Sequence, residues 1–304
     1  MSLVLKSNVV CTAANLTNVA LLTMTPQEYY DQFSARVVAD GGMIINPTEL
    51  KSTIDFLFEK KLLGKLSALI GAKYAVKHTG GIISKVYSID GVDFTPKLFG
   101  SGQAPSLNTA DPLKPYIDMK NTGESFNNVT LLKSTKKVIQ SRALKIGVSA
   151  VMQNTAKMTG VIAQSLDSDN IGESMPLWRV GSGAVGSTNM RFGVATEPYT
   201  PTATQDNLAY NTYTTVNSSE PIHFIADASK VSITTYKNGA AGVPFLRPLA
   251  RATAELAKPI TIGGYETSLS KGSSVSNFHE IWIFNNVTES EILLVDDFLR
   301  SKYI

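Results

Sequence analysis

Apolar and polar positions along this chain keep two different rhythms. In the first quarter the spacing is helical: Tyr29, Phe33 and Val37 recur at every fourth residue, and Leu50, Ile54, Leu57, Phe58 and Leu62 form a wider stripe. Each run follows a capping residue, then Pro, then an acid three places after the cap, in Thr25-Pro26-Gln27-Glu28 and Asn46-Pro47-Thr48-Glu49. The cap oxygen takes up an orphan amide and Pro sits where no amide is needed, so helices are predicted to begin at Pro26 and Pro47. Gly41-Gly42 supplies a left-handed stop for the first, and the second is predicted to end near Gly64.

Beyond about Lys77 apolar residues recur at every second position and the segments are bounded by Gly, Asn, Asp and Ser. Leu144, Ile146, Val148, Ala150 and Met152 alternate with polar or small residues, with Val151 the exception, which predicts a half-buried strand. Pro221 to Asp227 alternates in the same way, and Val231, Ile233 and Thr235 precede Lys237-Asn238-Gly239, a hairpin signal. Further strands are predicted at residues 82–89, 160–166, 177–180, 190–195, 259–263 and 278–284. Residues 197–220, polar and without period, read as a surface loop or an irregular edge hairpin. Thr288-Glu289-Ser290-Glu291, flanked by Val287 and Ile292, is a capping box with a hydrophobic staple and opens a closing helix.

Composition narrows the classes. With 28 Lys+Arg against 25 Asp+Glu the net charge is only +3, and no basic stripe marks a nucleic-acid or anionic-membrane partner. No run approaches the roughly 18 apolar residues of a membrane span, and no secretion signal is visible, so a protein made in a host cytoplasm is expected. One cysteine, Cys11, leaves the fold to hold by burial rather than by intramolecular disulfides.

The strand ending in Tyr236-Lys237-Asn238-Gly239, followed by Ile260-Thr261-Ile262-Gly263-Gly264 and Glu280-Ile281-Trp282-Ile283-Phe284-Asn285, resembles concanavalin A-like lectin and laminin G-like domains. The stretch Asn285 to Glu291 is about one residue shorter than their usual helix-opening pattern. The resemblance implies a mainly β fold, a concanavalin A-like antiparallel β-sandwich (jelly roll), with a small N-terminal helical region and a short C-terminal helix. The segment Phe33 to Gly42 is similar to segments that precede such sandwiches in bacteriophage structural proteins, which implies a virion role in tail, baseplate, fibre or capsid decoration. Two parts are expected: an anchoring or assembly region over 1–76 and the sandwich over 77–304.

Reactive clusters are sparse. A glycosidase of this fold class needs paired carboxylates on one strand, whereas Glu280 stands alone on its strand and Glu289, Glu291, Asp296 and Asp297 belong to the closing helix. His78, His223 and His279 lie far apart in sequence, and a His223–His279 cross-strand pair would still lack a third ligand, so no metal and no cofactor are expected. Asp167, Asp169 and Glu173 carry a hint of calcium-loop spacing beside the plainer reading of a strand-connecting turn. Residues 181–186 are Gly-rich but lack the Lys-Ser/Thr of a phosphate cradle. Trp178, Tyr199, Tyr210 and Tyr213 are candidate sugar- or protein-binding aromatics, with edge packing as their ordinary alternative.

The expected function is therefore a non-enzymatic bacteriophage virion protein, homo-oligomeric and in contact with other virion proteins. Its assembly interface is expected at Tyr29, Phe33, Val37, Ile54, Leu57 and Phe58. Two alternatives stand beside it: a receptor- or glycan-binding tail adhesin acting on a host surface, and, third, a polysaccharide hydrolase.

Overall fold

The computed structural model describes residues 24–121, 127–140, 145–153, 161–165, 177–182, 189–195, 208–213, 219–227, 232–246, 256–266, 271–273 and 277–304. Helix α1 (Pro26–Ala39), the short strand β1 (Met43–Ile44) and helix α2 (Pro47–Glu59) lead into β2 (Leu66–Gly71), β3 (Ala75–Thr79), β4 (Ile82–Val86) and β5 (Phe94–Phe99). Next come β6 (Ser106–Asn108), β7 (Tyr116–Asp118), β8 (Val129–Ser134), β9 (Val138–Gln140), β10 (Lys145–Met152), β11 (Val161–Ser165), β12 (Trp178–Ser182), β13 (Met190–Ala195) and β14 (Leu208–Tyr213). Then follow β15 (Pro221–Asp227), β16 (Ser232–Lys237), β17 (Ala240–Ala241), β18 (Phe245–Leu246), β19 (Leu256–Lys258), β20 (Ile260–Ile262), β21 (Gly264–Glu266), β22 (Lys271–Ser273) and β23 (Phe278–Asn285), before helix α3 (Glu289–Tyr303).

The long ladders are antiparallel and resolve into two layers. One runs β2-β23-β10-β15-β16; the other runs β5-β8-β20-β11-β12-β13-β14. Strand β4 pairs with β3, β5 and β6, and β7, paired with β6 and β23, joins this group to the first layer at one corner. Because side chains alternate faces along a strand, Ile70, Val148, Phe224, Ile233, Ile281 and Ile283 from the first layer meet Phe94, Leu132, Val180, Phe192 and Ile262 from the second in one buried cluster. This is the mainly β antiparallel sandwich expected from the sequence.

A second core lies on the other face of the first layer. Leu69, Val151, Ile225, Tyr236, Trp282 and Phe284 point away from the sandwich interior and are covered by Phe33 and Val37 of α1, Leu50, Ile54 and Leu57 of α2, and Ile292, Val295 and Leu299 of α3. Phe56 stacks on Phe298 with ring centroids 4.0 Å apart and meets Trp282 edge-on at 6.2 Å. Gly147 lets the start of α3 approach β10: a Cβ there would lie 2.4 Å from Val287 Cγ1.

Several expectations change. Strand β10 is buried on both faces rather than half-buried, because α3 covers the side that its polar residues occupy. Helix α2 stops at Glu59, short of Gly64, since Lys61 takes a left-handed φ of 57° and the Leu62 amide turns back to the Leu57 carbonyl. The boundary expected between residues 76 and 77 falls inside β3, and β2, which precedes it, is a full member of the first layer. The hairpin at Asn238-Gly239 forms as predicted, with φ of 50° and 78° at the two turn residues. The polar stretch 197–220 contains strand β14, which pairs along its whole length with β13.

Candidate functional site

Strand alternation places polar side chains of the first layer, Ser149, His223 and Glu280 among them, on its helix-covered face. Ser149 of β10 is directly opposite His223 of β15 and, on its other side, Trp282 of β23. Ser149 Oγ lies 2.7 Å from His223 Nδ1, and His223 Nε2 lies 2.9 Å from Asp296 Oδ1 on α3. The second contact is a close ion-pair distance whose angle is too bent for an aligned hydrogen bond. Arg300 Nε, 2.6 Å from Asp296 Oδ2, completes the chain. Burial opposes ionisation of Asp296, but His223 and Arg300 outweigh it and hold the carboxyl below its ordinary range. The order serine, histidine, aspartate has the composition of a hydrolytic triad, but all three residues have essentially no solvent exposure. A nucleophile sealed under a helix cannot meet a substrate, so this chain docks α3 onto β10 and β15.

A second buried network centres on Glu280. Its Oε2 accepts from Trp282 Nε1 at 2.7 Å and from the Tyr74 hydroxyl, while Lys73 Nζ lies 3.6 Å from Oε1. Lys73 also sits 4.2 Å from the Tyr303 ring centre, and Lys302 bonds Thr53 at 2.9 Å and Glu49 at 3.0 Å. Burial opposes charge on Glu280; Lys73, Lys302 and the Tyr74 hydroxyl outweigh it, and the carboxyl stays below its usual range. Burial likewise pushes the Tyr74 hydroxyl well up and the Lys302 ammonium down. Glu280 does stand alone as an acid on its strand, but its partners, invisible at sequence separations of about 200 residues, make it the hub of a network.

The histidines do not converge. β10 separates the strands of His223 and His279, and His279 Nδ1 faces the Pro115 carbonyl at 2.8 Å. Burial lowers the His279 imidazole below its ordinary pKa, against the pull of that carbonyl. His78 receives the Gly81 amide at 3.2 Å in the β3–β4 turn. Among the described residues no group of three or more His, Cys, Asp or Glu side chains is placed to hold a metal ion, and no helix is long and apolar enough to cross a membrane.

A cleft of about 590 Å³ opens at one edge of the sandwich, between β14 and the β16–β17 hairpin, with Asn211, Thr212, Thr235, Lys237, Asn238 and Val243 in its lining. Here the inward-facing positions turn from apolar to polar: on β16, Ile233 is succeeded by Thr235 and Lys237, and Asn211 is directly opposite core Phe192. Asn211 Nδ2 donates to the Ile233 carbonyl at 2.5 Å and the Val243 carbonyl at 3.2 Å, tying the two layers together at the mouth. Val243 and Leu246, 88% and 70% exposed, give the same hairpin region an apolar rim.

The sequence-derived candidates fall differently. Trp178 is fully buried in the inter-sheet core, 6.4 Å ring to ring from Phe192, because its position on β12 faces inward; it is core, not a ligand platform. Tyr210 and Tyr213 occupy positions on β14, the strand bordering the cleft, whereas Tyr199, Asp167, Asp169 and Glu173 lie outside the described residues. Of the stripe residues, Phe33, Val37, Ile54 and Leu57 are buried in the second core, and Tyr29 and Phe58 are half-buried, with their rings 5.6 Å apart. The cleft lining Asn211, Thr212, Thr235 and Lys237 was missed, though the Asn-Gly turn that shapes it was plain.

No protein-family model and no curated protein matches the chain. Among solved structures it is similar to one of botulinum neurotoxin type C, reported for cell entry dependent on two ganglioside molecules, at 11% identity, covering 79% of this chain and 53% of that one, with a TM-score of 0.45. It is likewise similar to the botulinum neurotoxin serotype D binding domain (10% identity, 78% and 53% covered, TM-score 0.43) and to the binding domain of botulinum neurotoxin DC in complex with SialylT (13%, 78% and 52%, TM-score 0.43). The chain spans about half the length of these structures.

Proposed function

We propose that the chain is a non-enzymatic recognition module whose edge cleft engages a saccharide or protein on a host surface. The observation that carries the reading is the mouth of the sandwich, where hydroxyl, amide and ammonium groups of Thr212, Thr235, Asn238 and Lys237 gather beside exposed Val243. Such a mixture of apolar rim and convergent polar groups suits a hydroxyl-rich ligand. The triad-like set Ser149, His223 and Asp296 is sealed from solvent, which favours binding over hydrolysis at that place. The test is a glycan array and a cell-adsorption assay with the full chain and with a variant in which residues 238–243 are replaced. Binding that disappears in the variant at unchanged melting temperature supports the proposal; no binding by the intact chain in either assay refutes it.

A place in a bacteriophage particle, implied by the resemblance of residues 33–42, belongs to the same proposal. What supports a docking role for the helices is reduced to what the fold leaves outside: half-buried Tyr29 and Phe58, and Val38 at 65% exposure. Mass spectrometry of purified particles tests it. Absence of the chain from particles removes the virion reading and leaves the cleft proposal standing.

A further inference from the structure

A second cleft lies far from the sandwich mouth in sequence, between α1 and the turn that joins β4 to β5. It encloses about 200 Å³, with Tyr29, Gln32, Phe33 and Arg36 on one side and Ile89, Asp90 and Gly91 on the other. The positive charge in its wall is already committed: Arg36 Nη1 bonds both carboxylate oxygens of Asp93 at 2.8 and 2.6 Å, and Nη2 bonds the Ser88 carbonyl at 2.9 Å. A guanidinium held by a bidentate carboxylate is neutralised and fixed in place.

Asp90 is in the opposite situation. Its carboxylate accepts from the Ser88 hydroxyl, and no cation pairs with it among the described residues. Burial pushes the Asp90 carboxyl up to about 7, with the nearby Asp93 charge adding to the effect. The Tyr29 hydroxyl donates to the Ile89 carbonyl at 2.7 Å, so what it has left to offer is a lone pair. The cleft therefore combines aromatic walls from Tyr29 and Phe33, accepting oxygens, and a carboxylate without a counter-ion. The ligand chemistry that satisfies all three is a donor-only cation on an apolar stem. We propose that this cleft binds a primary ammonium group on a short alkyl chain, the chemistry of a lysine side chain or a small amine, with Asp90 as its counter-ion. The proposal is independent of the edge cleft.

The charged and titratable groups facing Asp90 are Asp93 on the turn and Tyr29 and Arg36 on α1. Arg36 and Asp93 stay paired, and burial raises the Tyr29 hydroxyl above its ordinary value, so Asp90 is the group that changes charge near neutrality. The test is a titration of the full chain with n-butylammonium chloride, followed by amide chemical shifts, with n-butanol as a neutral control of the same shape, at pH 6 and pH 8. The ionised fraction of a carboxyl titrating near 7 rises from about a tenth to about nine tenths over that interval, and the apparent affinity should rise about tenfold with it. Shifts should be confined to residues 27–37 and 88–93, and Asp90→Asn should reduce affinity about tenfold or more at pH 8. Equal response to butanol, no change of affinity between the two pH values, or shifts centred elsewhere would overturn the proposal. The butanol and pH comparisons need no variant, so a failure of Asp90→Asn to fold leaves the test decisive.

Discussion

The two buried layers share the strands of one sheet and treat charge in opposite ways. Toward the second sheet, β23 presents Ile281 and Ile283, β10 presents Val148 and Ala150, and β15 presents Ile222 and Phe224. Toward the helices the same strands present Glu280 and Trp282, Ser149, and His223. The inter-sheet contact joins two surfaces whose backbone groups are already consumed by ladders, so a polar side chain there would find no partner. Helices α2 and α3 bring polar side chains with them, and these meet at defined places: Asp296, held by Arg300, meets His223 of β15, and Lys302 of α3 meets Thr53 and Glu49 of α2. Apolar burial tolerates sliding of one helix turn past a sheet, whereas a chain such as Ser149–His223–Asp296–Arg300 fits one position of α3. The helix-covered layer is thus built for position as well as for cohesion, and the inter-sheet layer for cohesion.

Breaking the polar hub should have the largest effect. Glu280→Ala takes from Lys73 one of its two carboxylates, with Glu49 at 3.4 Å remaining, and strands the Tyr74 hydroxyl and the Trp282 indole N–H, all three residues buried. Removing one member of a buried ionic group costs about 3–5 kcal/mol, read as a fall in the urea midpoint. The double variant Glu280→Leu with Lys73→Met removes both charges and should lose much less; equal losses for single and double variants would mean that packing rather than charge holds this layer. Acidification reads the same hub. Glu280 and Asp296 have carboxyls held below their ordinary values, so the unfolded chain binds more protons and their stabilisation, complete above about pH 4.5, is lost as pH falls through the folded values.

The inter-sheet layer supplies the contrast. Ile262 is fully buried in the apolar inter-sheet cluster, so Ile262→Ala should cost about 2–4 kcal/mol through lost contact and residual cavity. The loss should be the same at pH 4 and pH 7 in matched urea titrations. A pH-dependent loss would show that the two layers are electrostatically coupled through the sheet.

Asp90 sharpens the comparison from outside both layers and carries the opposite sign. Its folded-state carboxyl is raised from 3.8 to about 7, so the folded chain holds a proton that the unfolded chain has released, and stability falls as pH rises across that window. Asp90→Asn, a neutral isostere, should flatten melting temperature against pH between 5 and 7, by about 1–2 kcal/mol after allowance for the water that reaches this cleft. An unchanged profile would mean that the carboxyl ionises freely in its cleft.

How much of this was legible depended on whether a signal was local. The helix starts, the alternation in β10 and β15, the Asn-Gly hairpin and the capping box of α3 are properties of a few adjacent residues and were readable. Strand β2, Leu-Ser-Ala-Leu-Ile-Gly, was not: both of its faces are covered, so it shows an apolar run without alternation, continuous with the stripe of α2. The strand that carries Trp178 was readable, but which of its faces turns toward the second sheet is set by its ladder partners and was not. Glu280 with Tyr74, and His223 with Asp296, were beyond sequence reasoning because 206 residues separate the first pair and the second meets across a helix–sheet contact.

The smallest predicted difference separates two identical motifs. Thr25 and Thr288 both close capping boxes: each hydroxyl accepts from the amide three residues on, and Glu28 or Glu291 returns a bond to the cap amide. Around Thr25 the cap is exposed, and no residue of α1 before Phe33 is fully buried. Around Thr288 the flanking Val287 and Ile292 are fully buried, and Glu291 also takes the Lys65 ammonium at 2.6 Å, so this cap fixes where α3 lands on the sheet. Losing a threonine cap costs about 0.5–2 kcal/mol, and the two sites should divide that range, Thr25→Ala near its lower end and Thr288→Ala near its upper end. Adding Lys65→Met to each variant decides the cause: it should deepen the loss little beside Thr25→Ala and act non-additively with Thr288→Ala, because Lys65 and Thr288 act on the same carboxylate. Equal costs at the two caps, with additivity at both, would show that α3 is positioned by its apolar face alone, and that the polar side chains of the helix-covered layer follow the packing instead of directing it.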